Sequence, residues 1–412
     1  MITREQIREL AEFEDSESGA LTFYFQPATP RNKAHKEETI LTKDQAREAL
    51  HQLEAKGKCE SARADLDRMV RRSQEWLGNG ARAKGVFACS AQGFWREYDL
   101  PARLTATQFS VDRHFHLKPL ARMLGAFPSL GVVLVDRHRA RLFDLRLGEL
   151  TEREGLFHPL IRRGRSDGFA GYDGGHAERR VADEARQHFK VVAEFLKAAL
   201  EKGGFEKWIL GCQESHWPQF EPLLHPYVAH RLLGRFPADV AHMSRDHIRS
   251  HAERIFEASQ QARCREMVRE TLSQARSHAR GVTGLRRVLR ALEMGEIQTL
   301  LIGENYVSQA VECGGCGHLD AHLVGFCPVC GRETREVVDV AEALLPWVIR
   351  RDIELFYVKD DPEFDKVGNI AALLRFRSEQ NNNVRPTDGV PVDQSLGRQA
   401  GLVGRYRGAA SH

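Results

Sequence analysis

The sequence predicts a three-domain protein of mixed class, part α/β and part α+β, with a small cysteine-bearing module inserted in its third domain. Three observations lead there. At about 150 residues per domain, a chain of 412 residues holds about three. Strand-like and helix-like patterns alternate along it instead of segregating. Four of its eight cysteines fall in one doubled Cys-x-x-Cys pattern between a strand and a helix of the third part.

Taken in order, residues 1–125 read as a mixed unit. It has a strand at Leu21–Gln26, helical periodicity over Thr42–Leu53 and Ser61–Leu77, and strands around Gly85–Cys89 and Phe94–Tyr98. Residues 126–280 form the second unit, which opens on the buried-strand run Gly131–Asp136 and a hairpin partner, Ala140–Leu147. The glycine-rich stretch 161–180 then has no apolar periodicity and is expected to be irregular. A helix over Ala182–Lys202, a strand at Trp208–Cys212, a helix at Phe220–Leu233 and one long helix from His247 to about Arg280 follow. Residues 281–377 give helix Leu285–Met294, strand Thr299–Ile302, the cysteine insertion 311–332, helix Val340–Arg351 and strands Ile353–Tyr357 and Ile370–Phe376. From 378 to 412 the composition turns to Asn, Gly, Pro and Gln and predicts a flexible tail.

Charge narrows the function classes. Lys and Arg number 60 against 57 Asp and Glu, a formal net charge of +3, which excludes a global polycation. Yet 47 of the 60 bases are Arg, whose planar fork grips phosphate bidentately, so local RNA-binding surfaces are compatible with a neutral whole; a genome rich in G and C gives the same bias. Over Arg245–Arg290 eleven Arg face five acids, which suits either an RNA contact or a solvated connector. The charged opening MITREQIREL lacks the apolar segment of a signal peptide, and no apolar run is long enough to cross a membrane. A cytoplasmic location is expected.

Cys313-Gly-Gly-Cys316 and Cys327-Pro-Val-Cys330 stand ten residues apart, each closed by a glycine, Gly317 and Gly331. A two-residue gap lets both sulfurs of a turn face one ion, and glycine permits the positive φ that bends backbone N–H groups toward thiolates. Four sulfurs complete a tetrahedral zinc shell with no open position, so the expected role is structural. The alternatives are redox dithiols or two unrelated turns. His318 and His322 lie inside the insertion but are superfluous to a full shell, and Cys59, Cys89, Cys212 and Cys264 are isolated thiols.

Asp173-Gly174-Gly175-His176 is the most chemically suggestive segment. Paired glycines let a backbone approach another molecule closely, and His176 can act as donor, acceptor or general base, with Arg162, Arg163, Arg165, Arg179 and Arg180 as flanking phosphate contacts. The competing reading is a surface loop with an incidental histidine. Asp136 ends a strand and reads as a turn cap in preference to a nuclease carboxylate, and His114 and His116 read as half-exposed structure in preference to a metal pair.

Several segments together resemble the archaeal and eukaryotic class I release factors and their paralogue Pelota, in particular the bacterial branch, which includes Balon-like hibernation factors. They are LTFYFQPATP, FSVDRHFHLKPLARML, GVVLVDRHRARLFDL, HFKVVAEFL, LRRVLRALEMGEIQTLLIGENY, LLPWVIRRDIELFYVKD and VGNIAALLRFR, spread over most of residues 20–377. The cysteine insertion resembles the zinc-binding minidomain of archaeal members. The resemblance implies a three-domain release-factor/Pelota-like architecture that fills the ribosomal A site. Domain one would face the decoding centre, domain two would reach toward the peptidyl transferase centre and P-site tRNA, and domain three would contact the stalk base and a translational GTPase.

Two departures from the family pattern bear on activity. Its GGQ tripeptide reads Gly174, Gly175 and His176 here, so the water-positioning Gln is replaced by a planar, differently aimed imidazole. Its NIKS motif is missing, the candidate region Glu38–Arg47 reading ETILTKDQAR. Both point to a codon-independent ribosome binder acting in stress, hibernation or rescue, bound to rRNA but not to DNA or membrane. The enzymatic alternative is peptidyl-tRNA hydrolysis with His176 as base or water-positioner. A non-ribosomal RNA- or protein-binding scaffold is the third reading.

Overall fold

The computed structural model describes residues 2–15, 19–26, 36–55, 60–78, 83–100, 107–126, 130–146, 148–153, 174–202 and 204–377. The tail 378–412 and most of the stretch 161–180 lie outside them.

Helix α1 (Arg4–Glu12) begins at Thr3 with a reciprocal capping box to Gln6 and buries Ile7, Leu10 and Ala11. Nothing in the periodic reading flagged it, because nine residues give only two turns of pattern. Strand β1 (Ala20–Phe25), helices α2 (Lys36–Ala55) and α3 (Glu60–Gly78), strands β2 (Lys84–Cys89), β3 (Phe94–Asp99) and β4 (Gln108–Asp112), and helix α4 (Lys118–Ala126) complete the first part. Its sheet is antiparallel in the order β3-β2-β1-β4. β1 is buried along its whole length, which explains why its sequence is apolar apart from Thr22, whose hydroxyl accepts the His116 N–H at 3.0 Å. Leu21, Phe23 and Phe25 pack beneath α2 and α3 with Leu53, Leu66 and Trp76, while Ala20 and Tyr24 face α1 and α4. The segment Glu38–Arg47 lies inside α2, not in a turn between helices.

The second sheet has the order β7-β6-β5-β8-β9, built from β5 (Leu130–Val135), β6 (Ala140–Arg146), β7 (Glu149–Arg153), β8 (Lys207–Cys212) and β9 (Leu232–Phe236). The pairs β5–β8 and β8–β9 are parallel and the rest antiparallel. Helix α5 (Gly174–Glu201) covers one face through Phe189, Val192 and Leu196. It starts earlier than its periodicity suggests, so residues 174–180 are helical and the expectation of an irregular segment fails for them. The first helical turn needs no intrahelical N–H bonds, so two glycines cost little there, and Ala, Glu and Arg follow as good helix formers. The expected helix Phe220–Leu233 is also corrected. It is broken into α6 (Trp217–Phe220), a 3₁₀ turn (Glu221–Leu223) and α7 (Pro226–His230), with Leu232 and Leu233 in β9. Pro218, Pro222 and Pro226 each sit at a helix start, where a missing N–H is harmless, and forbid one continuous helix.

Helix α8 (Arg245–Arg276) then runs for 32 residues, about 48 Å. Its N-terminal half buries Ile248, Ala252 and Phe256 against the second sheet, and its C-terminal half buries Val268 and Leu272 against the third. At about 100° per residue the two stripes marked by these residues lie roughly 180° apart, on opposite sides of the helix. α8 is therefore a strut between two cores.

The third sheet has the order β10-β16-β11-β15, from β10 (Gly281–Thr283), β11 (Ile297–Gly303), β15 (Glu354–Val358) and β16 (Ile370–Leu374). α8 lies on one face, and α9 (Leu285–Glu293) and α10 (Val340–Arg350) lie on the other. Between β11 and α10 sits a separate three-stranded sheet, β13-β12-β14, of β12 (Ala310–Cys313), β13 (Leu319–Asp320) and β14 (Thr334–Val337). A four-residue helix, α11 (Pro362–Asp365), precedes β16.

Helix α10 serves two cores at once. Leu344 is buried among α9 and the third sheet, whereas its neighbour Leu345, with Ile349, is buried among Ile7, Leu10, Phe115 and Leu120 of the first part.

Candidate functional site

The two sequence-derived candidates lie at different places. Gly174, Gly175 and His176 form the first residues of α5, and Arg179 and Arg180 fall in its second turn. The side chains of these five lie outside the described residues, as do Arg162, Arg163 and Arg165 entirely. The first described buried position of α5 is Ala185, preceded by exposed Ala182, Asp183 and Glu184. At about 1.5 Å per residue, Gly174 and Ala185 stand about 16 Å apart along the helix.

The base of that helix is well anchored at the carboxyl ends of the parallel strands. His188 is buried, and burial holds its imidazole below the ordinary range against a hydrogen bond to the Arg139 backbone. Asp136 ends β5 and accepts N–H bonds from His138 at 2.7 Å and Arg139 at 2.6 Å, so it is a turn cap, as its sequence position suggested.

Four of the seven arginines of α8 pair with acids of the protein. Arg245 pairs with Glu152 at 3.3 Å, Arg249 with Asp246 at 3.1 Å, Arg263 with Glu354 and Arg276 with Glu363 at 2.8 Å. This favours the connector over the RNA reader for this helix.

The four cysteines converge. The sulfurs of Cys313, Cys316, Cys327 and Cys330 all lie within 4.8 Å of one another, with Cys313 to Cys330 at 3.3 Å and Cys316 to Cys327 at 3.6 Å. The two turns repeat one geometry. Cys313 N–H donates to His318 O at 2.9 Å and its carbonyl accepts from Gly317 N–H at 3.1 Å; Cys327 N–H donates to Arg332 O at 2.8 Å and its carbonyl accepts from Gly331 N–H at 2.9 Å. Gly317 and Gly331 have φ of +71° and +74°, with open space where a Cβ would stand, so the conformation and not crowding requires glycine. N–H groups of Gly315 and Cys316 point at the Cys313 sulfur at 3.3 and 3.4 Å, and that of Val329 at the Cys327 sulfur at 3.4 Å.

The two donors at the Cys313 sulfur favour its thiolate. The N–H groups of Cys316 and Gly315 hold the Cys313 thiol down at about 6. At Cys316 the His318 N–H favours the thiolate, but burial and the neighbouring thiols Cys330, Cys313 and Cys327 outweigh it and push this thiol up to about 12. Four thiolates at this spacing repel one another unless a cation lies between them, so the donor set fits a metal ion and suits a thiophilic one. His318 and His322 are engaged elsewhere, with Glu293 and Asp320 respectively.

Contacts around this cluster gave no signal in the sequence. Arg113 and His114, two hundred residues upstream, touch the module directly. Arg113 donates to the Gly314 carbonyl at 3.4 Å, and His114 Nε2 lies 3.4 Å from Glu312, the residue before Cys313. His116 lies 3.1 Å from Glu342 of α10.

Comparison with known proteins follows the same lines. Residues 116–257 match the model of bacterial archaeo-eukaryotic release factor family 10. The chain is 24% identical over 333 residues to peptide chain release factor subunit 1 of Thermococcus onnurineus, covering 73% of this chain and 78% of that protein. It is 26% identical over 311 residues to the namesake of Thermococcus sibiricus, covering 67% and 73%. Among solved structures it is similar to Pelota of Archaeoglobus fulgidus, at 14% identity and TM-score 0.34, covering 92% of this chain and 93% of that one. It is also similar to a ribosome-bound archaeal Pelota, at 14% identity and TM-score 0.40, covering 92% and 95%.

Proposed function

We propose that this chain, a protein like archaeal release factor 1 and Pelota, is a ribosome-binding translation factor that occupies the A site without reading a stop codon, in stress, hibernation or rescue. The observation that carries the reading is the pair Gly174 and Gly175 followed by His176, at the start of the 28-residue helix α5. The glycines suit close approach to a tRNA acceptor end, and Arg162, Arg163, Arg165, Arg179 and Arg180 supply phosphate contacts. Without a glutamine at His176 the segment is suited to occupancy more than to hydrolysis.

On this reading the chain works in the cytoplasm and divides naturally into functional parts near 125 and 280. The third part meets a translational GTPase, and Cys313, Cys316, Cys327 and Cys330 hold one structural zinc that supplies folding energy but no chemistry.

Pelleting with vacant ribosomes over a salt series tests the main claim. Phosphate contacts release counterions, so binding through about five arginines should fall on the order of a hundredfold or more between 50 and 200 mM salt. Failure to pellet at low salt refutes it. Release of labelled peptide from stalled ribosomes, lost in His176→Ala, would instead establish hydrolysis.

A further inference from the structure

We propose that the four-cysteine module is a metal-dependent clasp that fastens the end of strand β4 in the first part to the third part. The proposal rests on the metal reading above and concerns what the metal does for the rest of the chain. Glu312, directly before Cys313, has a side chain only 6% exposed. Its carboxylate lies between His114 of the first part and Arg335 of β14, whose Nε donates at 3.0 Å; Arg335 also reaches Asp112, the last residue of β4, at 3.1 Å. Arg113, itself buried, pairs with Glu14 and donates to the carbonyl of Gly314, inside the Cys313–Cys316 turn.

The module's exit completes the grip. Two residues after β14, Asp339 caps α10 and pairs with Lys118 at 3.2 Å, and Glu342 accepts the Leu117 N–H at 2.6 Å. Residues 112–118 thus touch the module and its exit at six positions, and two of the charged groups in these contacts, Arg113 and Glu312, are buried. Buried charges are tolerated only while their partners are held in place.

The module cannot hold those partners alone. Its strands are four, two and four residues long, and its buried apolar side chains are Ala310, Val311 and Leu319, far too few for a self-sufficient core. A metal ion joining the two turns fixes Gly314 and Glu312, and through them Arg113 and His114. Loss of the ion frees those groups while Leu345 and Ile349 keep the apolar part of the junction together. The first part is then loosened and not released.

The test uses the full chain, with zinc measured by elemental mass spectrometry and backbone hydrogen exchange followed over residues 107–118 and 310–337, before and after a zinc chelator. The expected result is about one zinc per chain, and exchange about tenfold or more faster in both segments once it is removed. Faster exchange over 310–337 with 107–118 unchanged overturns the clasp and leaves the metal reading standing. A chain that neither carries nor takes up zinc overturns both. The double variant Arg113→Ala/His114→Ala leaves all four cysteines in place. It should speed exchange over 107–118 with zinc still bound and, because coupling is reciprocal, weaken zinc affinity several-fold. Unchanged affinity and unchanged exchange in this variant also overturn the clasp.

Discussion

Adjacent leucines on α10 should report on two different cores. Leu344 and Leu345 are both fully buried, the first among Val288, Leu292 and Leu300 of the third part, the second among Ile7, Leu10 and Leu120 of the first. Replacing either by alanine removes the same atoms from an equally dry site and should cost about 3 kcal/mol, within the range for buried Leu→Ala changes. Denaturant unfolding of the single variants will therefore not distinguish them. Their coupling to Leu10→Ala will. Leu10 shares a buried cluster with Leu345 and not with Leu344, so a double-mutant cycle should give an interaction of about 1 kcal/mol for Leu10 with Leu345 and less than about 0.5 kcal/mol for Leu10 with Leu344. Urea unfolding of the three single variants, the two double variants and the parent measures both cycles. Equal couplings, or none for Leu345, would refute the shared core and with it the continuity of the first and third parts.

Other outcomes follow from single sites. In Gly131→Ala the new Cβ would stand 2.2 Å from the ring of Trp208, which is fully buried and has no room to turn, so thermal unfolding should show a loss of about 2 kcal/mol or more. Gly93→Ala meets open space at a φ of +65°, so only the backbone strain of about 1 kcal/mol should appear in the same measurement. Burial pushes the Cys212 thiol up to about 11. A thiol whose folded value exceeds its unfolded value of about 9 stabilises fully below pH 9 and loses that contribution as pH rises toward 11, a loss on the order of 2 to 3 kcal/mol. Unfolding curves of Cys212→Ala should therefore slope less than the parent's between pH 9 and 11. Timed alkylation at pH 7.5 should modify Cys212 only on the unfolding timescale; rapid labelling would contradict its burial.

Local chemistry was legible in the sequence wherever a few neighbouring residues decide the outcome. Cys-x-x-Cys-Gly fixes the placement of two sulfurs within five residues, so two copies announced the convergence found at Cys313, Cys316, Cys327 and Cys330. The run Gly131–Val135 is apolar on both faces because helices cover both, and it read as a buried strand for that reason. Asp136 read as a turn cap because the hydrogen bonds that make it one come from two and three residues away. Where several weak signals competed the reading failed. Apolar spacing over 220–233 suggested one helix, but Pro222 and Pro226 outvoted it, and nine residues were too few to reveal α1.

The mixed strand-and-helix class and the metal-ready cysteine turns are written in the sequence. Each depends on spacing within one turn or one element, and covalent geometry sets that spacing. Which surfaces meet is set by long-range packing. That Leu344 and Leu345 serve different cores, that α8 turns one stripe to each of two sheets, and that Arg113 and His114 reach Glu312 and Gly314 all require pairing residues up to several hundred positions apart. An apolar or charged side chain records that it needs a partner. Its identity carries no mark of which one, because burial and Coulomb attraction are blind to distance along the chain.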